Sequence, residues 1–243
     1  MTKSTLQQLL AEVQALHEQP VLGGADRMKL WRNTVKLAAA QYPSAQALVA
    51  ACLAQMQQAL SEAQAAWDNL ELTDALRRRV FRNLHDLADA QYQPAFEFLT
   101  GCLDHPDSTW RLASLRDIGF HYVTSPDSLF VEKARELLCD DPNSDVRRAA
   151  ALILGIRSQW KDTALVTALT SDPERFVRAS AFASLLELAG VPRRRAWKSW
   201  EQVKRGEIQP TWEEVRRIVV QEGIDPNGTK LRREREAKTQ VNW

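Results

Sequence analysis

The stretch DDPNSDVRRAAALILGIRSQWKDTALVTALTSDPERFVRASAFASLLELAG, residues 140–190, contains one phrase twice. Asp141-Pro142, three residues and Val146-Arg147 open one run of small apolar residues; Asp172-Pro173, three residues and Val177-Arg178 open another. An Asp side chain accepts an orphan backbone N–H at a helix start, and proline at the first helical position sacrifices no hydrogen bond. Each phrase therefore predicts a helix with Asp at its N-cap. Val146, Ala149, Ala150, Ile153 and Leu154 then recur at helical spacing as one apolar stripe. Thr163 to Leu169 carries a second stripe, Ala164, Leu165, Ala168 and Leu169, and stops at the next Asp-Pro. Each unit reads as two short antiparallel helices. Pairs this short cannot bury both stripes alone and must stack on neighbours.

The unit extends upstream. Aligning Arg111 with Arg147 lays TWRLASLRDIGF over DVRRAAALILGI, matching Trp110 to Val146, Ile118 to Leu154 and Gly119 to Gly155, with His105-Pro106 in the place of Asp141-Pro142. LRRRVFRNL puts Arg77 in the same slot, with Glu71 six residues ahead. Further back, WRNTVKLAAAQY from Trp31 repeats as FRNLHDLADAQY from Phe81, which registers Arg27 with Arg77. Arginines thus recur at Arg27, Arg77, Arg111, Arg147 and Arg178, in steps of 50, 34, 36 and 31.

These units resemble HEAT repeats, and the Asp-Pro…Val-Arg version is most similar to the HEAT-like repeats first described in phycobilin lyases. The resemblance implies a structural ladder in which an Asp at the inter-helix turn and an Arg six positions later bond across adjacent repeats. Asp141/Arg147 and Asp172/Arg178 fit, and Glu71/Arg77 fits with a longer acid. His105/Arg111 departs from the pattern, with Asp104 or Asp107 as the substitute acid. Val21 stands six residues before Arg27, so the first unit is expected to lack the pairing. The implied fold is an all-α, right-handed α-solenoid of about five helical hairpins.

Composition agrees with that class. The chain of 243 residues is 44% hydrophobic, enough for a substantial core, and it is rich in Ala, Leu, Gln, Glu and Arg with no alternating β-branched runs. No apolar run approaches the roughly 18 residues that cross a bilayer. Glu and Gln interrupt the N-terminal apolar stretch, which excludes a signal peptide. Cys52, Cys102 and Cys139 form an odd, scattered set, as expected of reduced thiols in a cytoplasmic protein. Net charge is +1, yet residues 193–243 hold 13 Lys+Arg against 8 Asp+Glu, and four of the eight tryptophans.

In chain order, residues 1–24 read as a capping helix, with Ser4/Gln7 as its capping box, and a loop. Residues 25–206 read as the repeat array, its first hairpin holding the longest helix. Residues 207–243 read as a second capping helix, opened by Thr211/Glu214, and a basic tail. Ser125 before Pro126 reads as another cap.

No catalytic, cofactor or metal site emerges. HEAT-like iron hydroxylases carry several His-Glu dipeptides; here only His17-Glu18 occurs. No nucleophile elbow or phosphate loop is present. HEAT-like alkylpurine DNA glycosylases set the nucleic-acid alternative. Arg193-Arg194-Arg195, Arg216-Arg217 and Arg232-Arg233, interleaved with Trp197, Trp200 and Trp212, have the composition that neutralises phosphates and stacks on bases. No Trp–Asp pair resembles the glycosylase site, and +1 is low for a duplex binder. The leading expectation is a non-enzymatic adaptor that holds a protein or peptide on a concave face lined by second helices. Its candidate contacts are Glu97, Glu132, Arg135, Lys161, Arg194, Lys198, Trp197 and Trp200, grading from acidic to basic along the chain. For Trp197 and Trp200 the favoured role is packing the helix from Thr211 onto the array, with partner anchoring second.

Overall fold

The computed structural model describes residues 2–19, 21–67, 69, 72–122 and 128–225. Among these, twelve α-helices and one short 3-10 turn, Pro43–Ala45, account for all regular structure, and no strand occurs. The helices are α1 (Lys3–His17), α2 (Gly24–Ala39), α3 (Gln46–Trp67), α4 (Asp74–Asp89), α5 (Gln93–Cys102) and α6 (Ser108–His121). They continue with α7 (Leu129–Asp140), α8 (Ser144–Arg157), α9 (Thr163–Ser171), α10 (Arg175–Leu188), α11 (Arg193–Arg205) and α12 (Trp212–Gln221). The chain divides into two compact units, Met1–Asp104 with Phe120–Tyr122, and His105–Gly119 with Val123–Trp243.

In the first unit α1 packs on α2, α2 on both α3 and α4, and α4 on α3 and α5. Val13, Leu30, Leu37, Met56, Leu60, Leu84, Leu87 and Leu99 are fully enclosed between them. The repeated phrase that ends in Ala-Gln-Tyr produces the same turn twice. Gln41 and Gln91 both adopt left-handed backbone, φ 50° and 57°, and each donates its N–H three residues back, to Ala38 and Ala88. The long step between Arg27 and Arg77 comes from α3, whose 22 residues exceed the 10 of α5. The cap of α1 is Thr2, whose hydroxyl accepts the Thr5 N–H, rather than Ser4. Ser125 and Pro126 lie outside the described residues; α7 is capped by Ser128.

The second unit shows the α-solenoid arrangement directly. First helices stack as α8 on α10, second helices as α7 on α9, and the second helix of each hairpin packs on the first helix of the next, α7 on α8 and α9 on α10. Both stripes read from the sequence are buried, Val146 through Leu154 on α8 and Ala164 through Leu169 on α9. Close approach of the first helices rests on glycine. A Cβ on Gly119 would stand 2.5 Å from Ile153 Cδ1, and one on Gly155 would stand 2.5 Å from Ser184 Oγ and 3.0 Å from the Ser184 Cα. Ile153 and Ser184 occupy equivalent positions, six residues beyond Arg147 and Arg178, so the same knob enters the same gap in successive repeats. At the chain's end α12 touches both α9 and α10, held in part by Trp160 stacking on Trp212 at 5.4 Å.

Because the backbone of α10 blocks the space at Gly155, Gly155→Ala is expected to lower unfolding free energy by about 1–3 kcal/mol. Gly24→Ala, where the added Cβ meets nothing within 4 Å, is the neutral reference. Urea unfolding of both variants measures the difference, and equal midpoints would refute the close-approach account.

Candidate functional site

The polar interior of the second unit is an arginine ladder. Arg111 on α6 forks onto Asp141, Nε to Oδ2 at 2.7 Å and Nη2 to Oδ1 at 2.9 Å, while its Nη1 donates to the carbonyls of His105 and Pro106 at 2.7 and 2.8 Å. Arg147 on α8 repeats this one hairpin later: Nε to Asp172 Oδ2 at 2.8 Å, Nη2 to Asp172 Oδ1 at 3.2 Å, and Nη1 to the carbonyls of Asp141 and Pro142 at 2.9 and 3.4 Å. Arg178 on α10 makes the backward half only, Nη1 to the carbonyls of Asp172 and Pro173 at 2.5 and 3.0 Å. Arg111, Asp141, Arg147 and Asp172 are all buried. Buried charges of this kind persist because each is paired and hydrogen-bonded. The Asp141 and Asp172 hydrogen bonds hold the Arg111 and Arg147 guanidinium groups above the ordinary arginine range.

Partner choice and caps differ from the sequence expectation. Asp141 does not cap α8; it ends α7, and Asn143 is the N-cap, accepting the N–H groups of Asp145 and Val146. Asp141 instead accepts the Asn143 N–H at 2.8 Å, and Asp172 accepts that of Glu174 at 2.8 Å, which fixes each turn while the carboxylate faces the preceding arginine. His105 performs this turn bond itself, Nδ1 accepting the Asp107 N–H at 3.0 Å, so neither Asp104 nor Asp107 replaces it there. Asp107 corresponds to Asn143 and accepts the Thr109 N–H.

In the first unit, Arg27 is paired after all: Nε and Nη2 both bind Asp86 Oδ2, the former at 2.7 Å, and Arg32 binds Asp89 at 2.5 Å. Burial nevertheless pushes the Asp86 carboxyl above its usual range, against the opposing pull of Arg27. Arg77, expected as a ladder member, is half-buried and forms no ion pair among the described residues; Glu71 lies outside them. The signal for Asp86 and Asp89 was available. They are the positions where the second copy of the repeated phrase replaces Lys36 and Ala39 by acids.

The eight candidate contacts separate into engaged and unengaged residues. Glu97 is exposed on α5 in the first unit. Arg135 is committed to structure: Nε binds the buried Asp162 at 2.9 Å and Nη1 binds Glu132 at 2.5 Å, while Asp162 caps α9. Trp200 is half-buried, donates Nε1–H to Ser180 at 3.2 Å and packs beside Trp197 and Phe176, so its packing partner is α10 rather than α12. Lys161, Arg194 and Lys198 are exposed and make no ion pair among the described residues. Arg194, Trp197 and Lys198 fall on one face of α11 by helical spacing. Elsewhere near the C-terminus cations meet acids: Arg193 with Glu187, Arg195 with Glu222, Arg205 with Glu207 and Arg217 with Glu214. As for metal donors, the first unit places His121 Nδ1 3.6 Å from Asp89 and edge-on to His85 at 4.8 Å, but Asp89 already accepts Arg32.

A family model described as HEAT repeats matches residues 96–186. That stretch is similar to HEAT repeats. It spans the turns bearing His105, Asp141 and Asp172 and the first helices bearing Arg111, Arg147 and Arg178, so the HEAT match and the ladder cover the same hairpins. No curated protein and no solved structure matches the chain. Among the described residues no helix is long and apolar enough to cross a membrane.

Arg147→Ala strips two turns at once, leaving the Asp172 carboxylate without its counter-ion and the Asp141 carbonyl unmet, and is expected to cost about 2–4 kcal/mol. Arg148→Ala, which removes an exposed contact with Asp145, is expected to cost under about 0.5 kcal/mol. Equal denaturation midpoints for the two would contradict the ladder. A second expectation concerns Cys139, whose thiol is exposed whereas those of Cys52 and Cys102 are buried. Partial burial, then Asp140 and Asp162, raise its pKa, so less thiolate exists at neutral pH than for an unperturbed cysteine. Alkylation of the native chain should label Cys139 first, and its rate–pH midpoint should lie above that of a cysteine peptide; a midpoint below would be contrary.

Proposed function

We propose that the chain is a non-enzymatic adaptor that binds a segment of another protein on the face presented by its second helices. The supporting observation is the division of charge labour. The interior arginines are spent on turns and carboxylates, whereas Lys161, Arg194 and Lys198 remain exposed and make no ion pair among the described residues, two of them flanking Trp197 on α11. A half-buried aromatic between unpaired cations suits an anchor for an apolar residue within an acidic segment. Within the second unit, the grading from the acidic Glu132 to the cations of α11 is part of this reading and would orient such a segment. The Asp–Arg turn geometry supports the further assignment of the repeats to the phycobilin-lyase type, which concerns the scaffold and implies no bilin chemistry. Cytoplasmic location belongs to the same reading, on the scattered thiols.

Nucleic acid is the weaker reading, because five of the eight described cations from residue 193 onward already face acids. The deciding experiment is partner capture from the native cell by the wild-type chain and by Arg194→Glu/Lys198→Glu. The double variant should keep its thermal midpoint and lose the partner, with affinity down about tenfold or more. Retained capture would refute the α11 face. A labelled DNA or RNA mixture should show no mobility shift at about 50 mM salt.

A further inference from the structure

We infer that the guanidinium of Arg178 is a preformed receptor for a side-chain carboxylate supplied by a partner protein. The chain itself displays the ligand. In the two interior rungs an arginine is anchored through Nη1 to the carbonyls of its own turn, and its Nε–Nη2 edge holds the aspartate of the next turn in a fork. Arg178 is anchored in the same way, to Asp172 and Pro173, yet among the described residues its Nε–Nη2 edge meets no carboxylate. A guanidinium is planar and rigid, so fixing one nitrogen on two carbonyls aims the opposite edge before any ligand arrives. The ordering that a flexible surface arginine undergoes on binding has already taken place.

Two further cations lie close by, one of them, Lys204, 4.0 Å from Glu201. Arg175 lies three residues earlier, on the same face of α10, and it makes no ion pair among the described residues; its guanidinium rests against Gly206. Lys204 sits over Phe176 and Trp200, 5.8 and 5.1 Å from the ring centroids, and Phe176 is 43% exposed. An aspartate at a turn before a partner's helix, the chemistry of Asp141 and Asp172, fits the fork, and acidic neighbours fit its cations. A second copy of this chain is a poor source, because its two aspartates of that geometry are already bound by Arg111 and Arg147. The chain's own residues 230–243 carry five Lys+Arg against two Glu, the same sign as the site.

The inference rests on the protein-binding reading above. Its test uses the full chain and a fluorescein-labelled peptide of the turn sequence DDPNSDV, residues 140–146, followed by anisotropy at about 50 mM salt. Saturable binding is expected, weakened about tenfold by Arg178→Gln, by Arg178→Lys, and by a peptide with Asn in place of its second Asp. Arg178→Lys keeps the charge and loses the fork, and the peptide change leaves the protein untouched, so neither readout depends on how well Arg178→Gln folds. No saturable binding, wild-type affinity with Arg178→Lys, or indifference to the Asn peptide would each overturn the proposal. So would tighter binding of a labelled DNA duplex that the same variants abolish. The two readings fail separately: a captured partner that is lost with the Arg194/Lys198 variant but kept with Arg178→Lys leaves the adaptor face standing and removes the fork.

Discussion

One guanidinium held by two turns organises the second unit. Arg147 reaches back to the carbonyls that open its own hairpin and forward to the carboxylate that closes it. Carbonyls at a helix-to-helix turn have no intrahelical partner, and a buried aspartate has no water, so either group alone is costly. A single side chain settles both. Lysine would not serve, since its point-like ammonium cannot meet two carbonyls on one side and a bidentate carboxylate on the other. The same bonds also set register, because each fork fixes where the next first helix begins relative to the last.

Packing follows from that register. With Arg111, Arg147 and Arg178 held at equivalent heights, the residues beyond them fall at equivalent heights too, and Gly119 and Gly155 face Ile153 and Ser184. The isoleucine uses more of the gap than the serine does, so the two interfaces share geometry without sharing side-chain volume. Dense apolar burial on α8 and α10 is the result, with Val146, Ala150, Leu154, Val177, Ala181 and Leu185 all fully enclosed. Polar rungs at one end and glycine gaps at the other thus act as two constraints on the same helix pair.

Much of this was legible. Apolar stripes gave the hairpins, and the internal repeats located equivalent segments; that Gln41 and Gln91 share left-handed backbone emerged only in the structure. What the sequence could not show was which of two neighbouring polar residues takes which duty. Asp141 and Asn143 are both good caps, and proximity to Arg111, a fact of tertiary structure, assigns the aspartate to the ladder and leaves Asn143 the cap. Arg27 was misjudged for a related reason: its acid, Asp86, lies within α4 rather than in a turn, so a fixed spacing rule passes over it. Surface residues were least legible. Arg135 and Lys161 look alike as candidate contacts, yet one is tied to Asp162 and the other makes no ion pair among the described residues.

That last contrast bears on where function resides. In a stack whose interior polar groups satisfy one another, a side chain is available to a ligand only where the pattern of mutual satisfaction stops. It stops on outward helix faces, where nothing follows, and at the last rung, where the turn between α11 and α12 supplies Arg178 no carboxylate among the described residues. Lys161, Arg194 and Lys198 are of the first kind, Arg178 of the second. The two kinds differ physically. A face cation keeps its rotamer freedom and contributes attraction that salt screens, whereas an end rung is already oriented and selects ligand geometry. Steering by the face and selection by the rung are complementary, since neither alone supplies both rate and discrimination.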